Sequence, residues 1–114
     1  MGDFPTKRTR NGVVVVSPRG RLNMAVAARL REQLHNLVQA GHVYLVVDLS
    51  RVDTLDSCGL GALISGLKAA RERDGELCIA APGEQALAVL EMTQLNGVFK
   101  SYPSADSAFI DELA

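Results

Sequence analysis

The chain has 114 residues, 47% of them hydrophobic, enough for one compact domain with little room for a second. Twelve Lys and Arg stand against thirteen Asp and Glu, a formal charge of -1, so the summed field offers no general attraction to nucleic acid or to an anionic membrane. Apolar stretches such as "VYLVV" run to about five residues, where a membrane helix needs about 20, and no charged-then-apolar leader is read, so a soluble cytoplasmic protein is expected.

Residues 1–12, "MGDFPTKRTRNG", are polar and turn-rich and read as a flexible lead-in. The opening "MGDFPT" matches the M-G-x-x-x-[ST] myristoylation pattern, but so short a pattern is often met by chance, and the segment is kept with the lead-in. A domain over 13–114 then begins with "VVVVS" (13–17), a β-branched run. "PRG" reads as a turn into a second strand at "RLN", making a first hairpin.

The period changes in "MAVAARLREQLHNLVQAG", where Ala27, Leu30, Leu34, Leu37 and Val38 recur at helical spacing. Asn23 is the expected N-cap and Gly41 the residue just past the C-cap. "VYLVVDL" (43–49) is apolar on both alternating faces, as for a central strand covered by helices on each side. From Gly59 a second helix carries the stripe Leu60, Leu63, Ile64 and Leu67, with Lys68, Arg71 and Arg73 near its end and "DG" at 74–75 closing it.

"LCIAA" (77–81) is a further buried strand, and "PG" opens a shorter helix over about 84–94 with Leu87 and Leu90 facing inward. "VFKSY" (98–102) reads as a last strand, followed by a terminal helix capped by Ser104 and anchored by Phe109, Ile110 and Leu113. The expected order is ββαβαβαβα: an α/β domain with a mixed central sheet flanked by about four helices.

The stretch "TLDSCGLGAL" (54–63) raises the question of function. Gly59, Gly61 and Gly66 lie in or beside one helix, where each interior glycine costs about 0.8–1 kcal/mol relative to alanine. Close approach of a neighbouring strand, or of a partner outside the fold, would compensate. Asp56 or Ser57 is the expected N-cap. A phosphate loop fails because no lysine occurs before Lys68, a dinucleotide fingerprint fails at Ile64, and a nucleophile elbow fails at Leu55.

Cys58, near the helix start, is a candidate reactive thiol. Asp53 and Asp56 oppose a thiolate there, and His35 and His42 belong to the first helix and its exit. A small, partly buried thiol is expected, with both histidines solvated. Cys58 and Cys78 fit no Cys-x-x-Cys spacing and are expected to stay reduced, and no metal-ligand spacing is present.

"LVVDLSRVDTLDSCGLGALI" resembles the signature of STAS domains of the anti-sigma factor antagonist family: a strand, D-L-S, apolar residues, then D-S-S-G-L-G. "GRLN", "LREQL", "DGEL" and "VLEMTQLNGVFKSY" fall where that family has similar segments, so the resemblance covers roughly 13–113. It implies a switch rather than an enzyme, with no cofactor of its own. The serine after the aspartate, here Ser57, would be phosphorylated by an anti-sigma factor that is also a serine kinase, the ATP belonging to that kinase. The unphosphorylated form would bind this partner and free the sigma factor, and a serine phosphatase would reset the cycle. Asn23, Met24, Asp56, Ser57, Cys58, Gly59, Leu60 and Gly61 are expected on the partner surface, with Thr93 near the same edge.

The sequence departs from the family pattern at two places. Cys58 replaces a second serine or threonine, leaving the acceptor unchanged. Asn23 replaces an aspartate linked to the kinase encounter. A phosphoryl group adds about -1.5 to -2 charge. Free N–H groups at a helix start would tolerate it, whereas an interface pressed there would not. The alternative implied role is a STAS subunit of a lipid-transport or signalling assembly, using the same surface without phosphotransfer.

Overall fold

The start of the chain folds back on itself, with Thr9 N–H donating to the Val13 carbonyl at 2.9 Å. This closes an antiparallel pair between β1 (Thr6–Arg8) and β2 (Val14–Val16), in register Thr6 to Val16. The computed structural model describes residues 4–9, 12–95 and 97–107. Part of the expected lead-in is therefore the edge strand of the sheet. β1 carries no strand signal in the sequence, because all three of its residues are exposed and polar and show no apolar alternation.

The expected hairpin between "VVVVS" and "RLN" does not form. β3 (Gly20–Leu22) turns away from β2 and pairs in parallel with β5 (Val52–Leu55) in a separate two-stranded sheet. "PRG" lacks the two-residue Asn-Gly type of turn that folds a chain straight back, while Gly20 at φ +76° redirects it. The main sheet has the order β1-β2-β4-β6-β7, where β4 is Tyr44–Asp48, β6 is Glu76–Ala80 and β7 is Ser101–Tyr102. Every neighbour after the first pair is parallel, and β4 lies in the middle, with Val46 between Val15 and Cys78.

Three α-helices lie among the described residues: α1 (Met24–Gln39), α2 (Ser57–Arg71) and α3 (Glu84–Met92). Residues of all three enter one core cluster against Val14, Val16, Leu45, Val47, Leu77 and Ile79. α1 ends as its sequence suggests, with Gly41 at φ +98° just past the C-cap Ala40. The opposite sheet face, built from Val13, Val15, Val46, Cys78 and Ala80, meets a smaller cluster that includes Tyr44, Tyr102 and Ala105. Helices on both faces were expected, but the described cover of this second face is the 3-10 turn Ala105–Ser107. Phe109, Ile110 and Leu113, the anchors of the expected terminal helix, and Met1–Asp3 of the lead-in lie outside the described residues.

Two further expectations change. Leu87 points outward, 43% exposed, because α3 buries the i, i+4 pair Ala86 and Leu90, which leaves position 87 a rotation of about 100° away. The strand expected over 98–102 shrinks to Ser101–Tyr102, since Phe99 is drawn into the main core.

Two glutamines clamp a stretch of backbone in the same manner, one ahead of β1 and one at the end of β5. Gln33, buried on α1, accepts from Phe4 N–H at 2.8 Å and donates to its carbonyl at 2.9 Å. Gln85 on α3 accepts from Leu55 N–H at 2.7 Å and donates to the Leu55 carbonyl at 3.0 Å. The second clamp fixes the last residue of β5, from which the candidate site begins.

Candidate functional site

β3 and β5 run side by side and each launches a helix, so the starts of α1 and α2 emerge together. Leu22 faces Leu55 in register, and Asp56 N–H donates to the Leu22 carbonyl at 3.2 Å. Asn23 caps α1, its Oδ1 accepting from Ala25 N–H at 3.0 Å. Asp56 caps α2, its Oδ1 accepting from Cys58 N–H at 2.9 Å and Gly59 N–H at 3.0 Å. Of the two candidate caps for α2, Asp56 takes the role. Ser57 is left exposed at the first helical position, its hydroxyl making no hydrogen bond with the described residues.

The two helix starts enclose a shallow groove of about 350 Å³ lined by Met24, Ala27, Ala28 and Arg31 from α1 and Ser57, Cys58, Gly61 and Ala62 from α2. Small side chains form its floor and Met24, 77% exposed, stands at its rim. The structure thus brings Met24, Ser57, Cys58 and Gly61 to one surface beside the caps Asn23 and Asp56.

Gly59 and Leu60 do not belong to that surface. Leu60 is 4% exposed and packs in the core. A Cβ on Gly59 would collide with the Leu22 carbonyl and lie 2.8 Å from Leu22 Cβ, so this glycine admits β3 and not a partner. Gly61 is the reverse case, with nothing within 4 Å of the position its Cβ would occupy. Close approach from inside and openness to the outside, posed as alternatives by the sequence, are divided between two glycines.

Thr93 also stands apart. It is the C-cap of α3, its Oγ1 donating to the Val89 carbonyl at 2.8 Å, eight residues beyond the Gln85 that touches β5. That is about 12 Å along a helix, and Thr93 does not line the groove. Sequence reasoning missed Gln85, whose clamp positions Asp56, and Arg31, which enters the groove from the other helix. A glutamine or arginine on an amphipathic helix carries no signal of its own in a single sequence.

The expected free N–H groups of the α2 start are largely taken. Asp56 Oδ1 holds those of Cys58 and Gly59, and the Asp56 carbonyl holds that of Leu60 at 2.9 Å. Cys58 is exposed, not partly buried as expected. Neither histidine is simply solvated: His35 Nε2 lies 2.6 Å from Ser65 Oγ between α1 and α2, and His42 Nε2 lies 3.2 Å from Arg8 Nη2. Ser57 and Cys58 therefore have no imidazole partner among the described residues, and no cluster there could hold a metal ion. No described helix is long and apolar enough to cross a membrane.

The family model described as "STAS domain" matches residues 4–108. BtrV of Bordetella bronchiseptica, named as an anti-sigma factor antagonist, is 30% identical over 97 residues, covering 85% of this chain and 81% of BtrV. The crystal structure of a Thermotoga maritima protein described in the same terms superposes with a TM-score of 0.87 at 27% identity, over 96% of this chain and 93% of that one. The anti-sigma factor antagonist SpoIIAA in its unphosphorylated form gives a TM-score of 0.81 at 14% identity, over 96% of each chain. The phosphorylated form of the Bacillus SpoIIAA gives 0.75 at 17%, over 97% of this chain and 99% of that one. With SpoIIAA the likeness is one of fold.

Proposed function

The chain belongs to the STAS domain family, and from that premise we propose that it is a cytoplasmic, non-enzymatic anti-sigma factor antagonist whose docking surface is the α1–α2 groove and whose switch is Ser57. Its partner in this reading is an anti-sigma factor with serine kinase activity. Docking of the unphosphorylated chain frees the sigma factor for transcription. The kinase transfers the γ-phosphoryl group of its ATP to Ser57 Oγ, releasing ADP and the hydroxyl proton, and a serine phosphatase restores the hydroxyl.

The observation that carries the reading is the division of labour at the α2 start. Asp56 performs the capping that a serine often performs, so the Ser57 hydroxyl stays exposed and unengaged at the lip of a groove. Modification there need not disturb the fold. A partner seated over the groove would have to bury the new anion next to Asp56, and truncated or unpaired charges at interfaces cost about 2–5 kcal/mol. That is roughly 30-fold to several-thousand-fold in dissociation constant.

The relatives named as anti-sigma factor antagonists support this role, as does a fold shared with a protein known in phosphorylated and unphosphorylated forms. Asn23 caps α1 as well as an aspartate would, so its presence alters charge near Ser57 without altering the helix start.

The test is intact mass and peptide mapping of the protein from its native cells, with and without phosphatase. A phosphatase-sensitive phosphoryl group on Ser57 is expected, and its absence across growth and stress conditions would remove the switch. With the kinase partner in hand, Ser57→Ala should bind but no longer respond to ATP, while Ser57→Asp should bind at least 30-fold more weakly than wild type. Equal binding by Ser57→Asp refutes the electrostatic mechanism.

A further inference from the structure

Resting on Ser57 as the modified residue, we propose that Arg31 is the internal receptor for its phosphoryl group and that their pairing closes the groove. A phosphoryl group on Ser57 brings three acceptor oxygens to the α2 start. Of the backbone donors there, Asp56 already holds the N–H groups of Cys58, Gly59 and Leu60, which leaves the N–H of Ser57 itself. One N–H cannot satisfy three phosphate oxygens, so a side chain has to meet most of the charge.

Arg31 is the one cationic residue lining the groove that Ser57 lines. It is exposed and has no hydrogen-bond or ion-pair partner among the described residues. Of the other cations near these helices, Arg29 lies over the Phe4 ring at 5.4 Å, Arg71 pairs with Glu76 at 2.9 Å, Lys68 lies in the last turn of α2 with Arg73 just past it, and Arg21, opposite Thr54 on β3, does not line the groove.

Direction and clearance favour the pairing. α1 and α2 start at the same end of the molecule, and long helical side chains lean toward their own N-terminus, which for Arg31 is the Ser57 end. Besides Met24 and Cys58, the groove the two residues share is lined by Ala27, Ala28, Gly61 and Ala62, small residues that leave room for a guanidinium. Arginine also presents the planar fork that grips two phosphate oxygens together. Drawn toward Ser57, its stem lies over the small-residue floor. Phosphorylation then acts twice on a partner, by adding an anion at the lip and by covering the surface behind it.

The test uses the full chain with phosphoserine installed at position 57 during translation, followed by phosphorus-31 NMR between pH 5 and 9. The phosphoryl group of the wild type should lose its second proton at a pH lower by about half a unit than that of Arg31→Gln, an approximately threefold difference in acid dissociation constant. Arg73→Gln removes the same charge at the far end of α2 and should titrate as wild type. Equal midpoints in wild type and Arg31→Gln overturn the inference, and an equal displacement by Arg73→Gln overturns it in favour of net charge. Because the phosphate is installed, neither outcome depends on a cellular kinase. Absence of native Ser57 modification would instead remove the switch reading and leave this measurement standing.

Discussion

Gly59 and Gly61 are two residues apart in one helix and have opposite duties. Gly59 faces inward, where the Leu22 backbone occupies the space a methyl group would need. Gly61 faces the groove, where nothing stands within 4 Å. The inner face of α2, with Leu60, Leu63, Gly66 and Leu67, is dry and close-packed, while the groove face, with Ser57, Cys58 and Gly61, is shallow and exposed. Substitutions on the first should register in stability, and on the second in binding.

The comparison can be broken most forcefully at Gly59. Alanine there gains about 0.8–1 kcal/mol of helix propensity but must displace backbone as well as side-chain atoms, so a net loss of roughly 2 kcal/mol is expected from urea denaturation. An unchanged midpoint would show that β3 is less firmly held than its contacts with α2 imply. Asp56→Ala comes next. It removes the cap while leaving Ser57 in sequence, and should cost about 1 kcal/mol. It should also raise amide exchange at Cys58 and Gly59.

Gly61→Ala should give the smallest change in stability, and the opposite sign. The added methyl meets open space and improves helix propensity, so the protein should become more stable by about 0.8 kcal/mol. The same methyl projects into the groove and should weaken binding of the partner proposed above, measured by calorimetry. A variant both more stable and better bound would place the docking surface elsewhere.

The helices and central strands were legible because their apolar periods are strong: Leu30 and Leu34 on α1, Leu63 and Leu67 on α2, and the continuous run at 45–47 all fall in the core as read. Strand pairing was less legible. Gly20–Leu22 is only three residues long, and its partnership with Val52–Leu55 rests on contacts made after α1 and β4 have intervened. At the site, the motif located Ser57 and its cap but could not sort neighbours by direction. Leu60 and Gly59 share the motif with Ser57, yet the helical rotation turns them into the core. Arg31 and Gln85 lie far from the motif in sequence and enter the site through packing alone.

The Gln85 clamp carries a chemical consequence. A primary amide carries both a donor NH2 and an acceptor oxygen, the combination that a neighbouring strand would present, so a single side chain completes the end of β5. Hydrolysis of that amide leaves a carboxylate, which can still accept from Leu55 N–H but turns a second acceptor toward the Leu55 carbonyl. Deamidation at this one position would therefore loosen the strand end from which Asp56 and Ser57 are held out, so the ageing of a glutamine on a third helix would reach the groove through its lip.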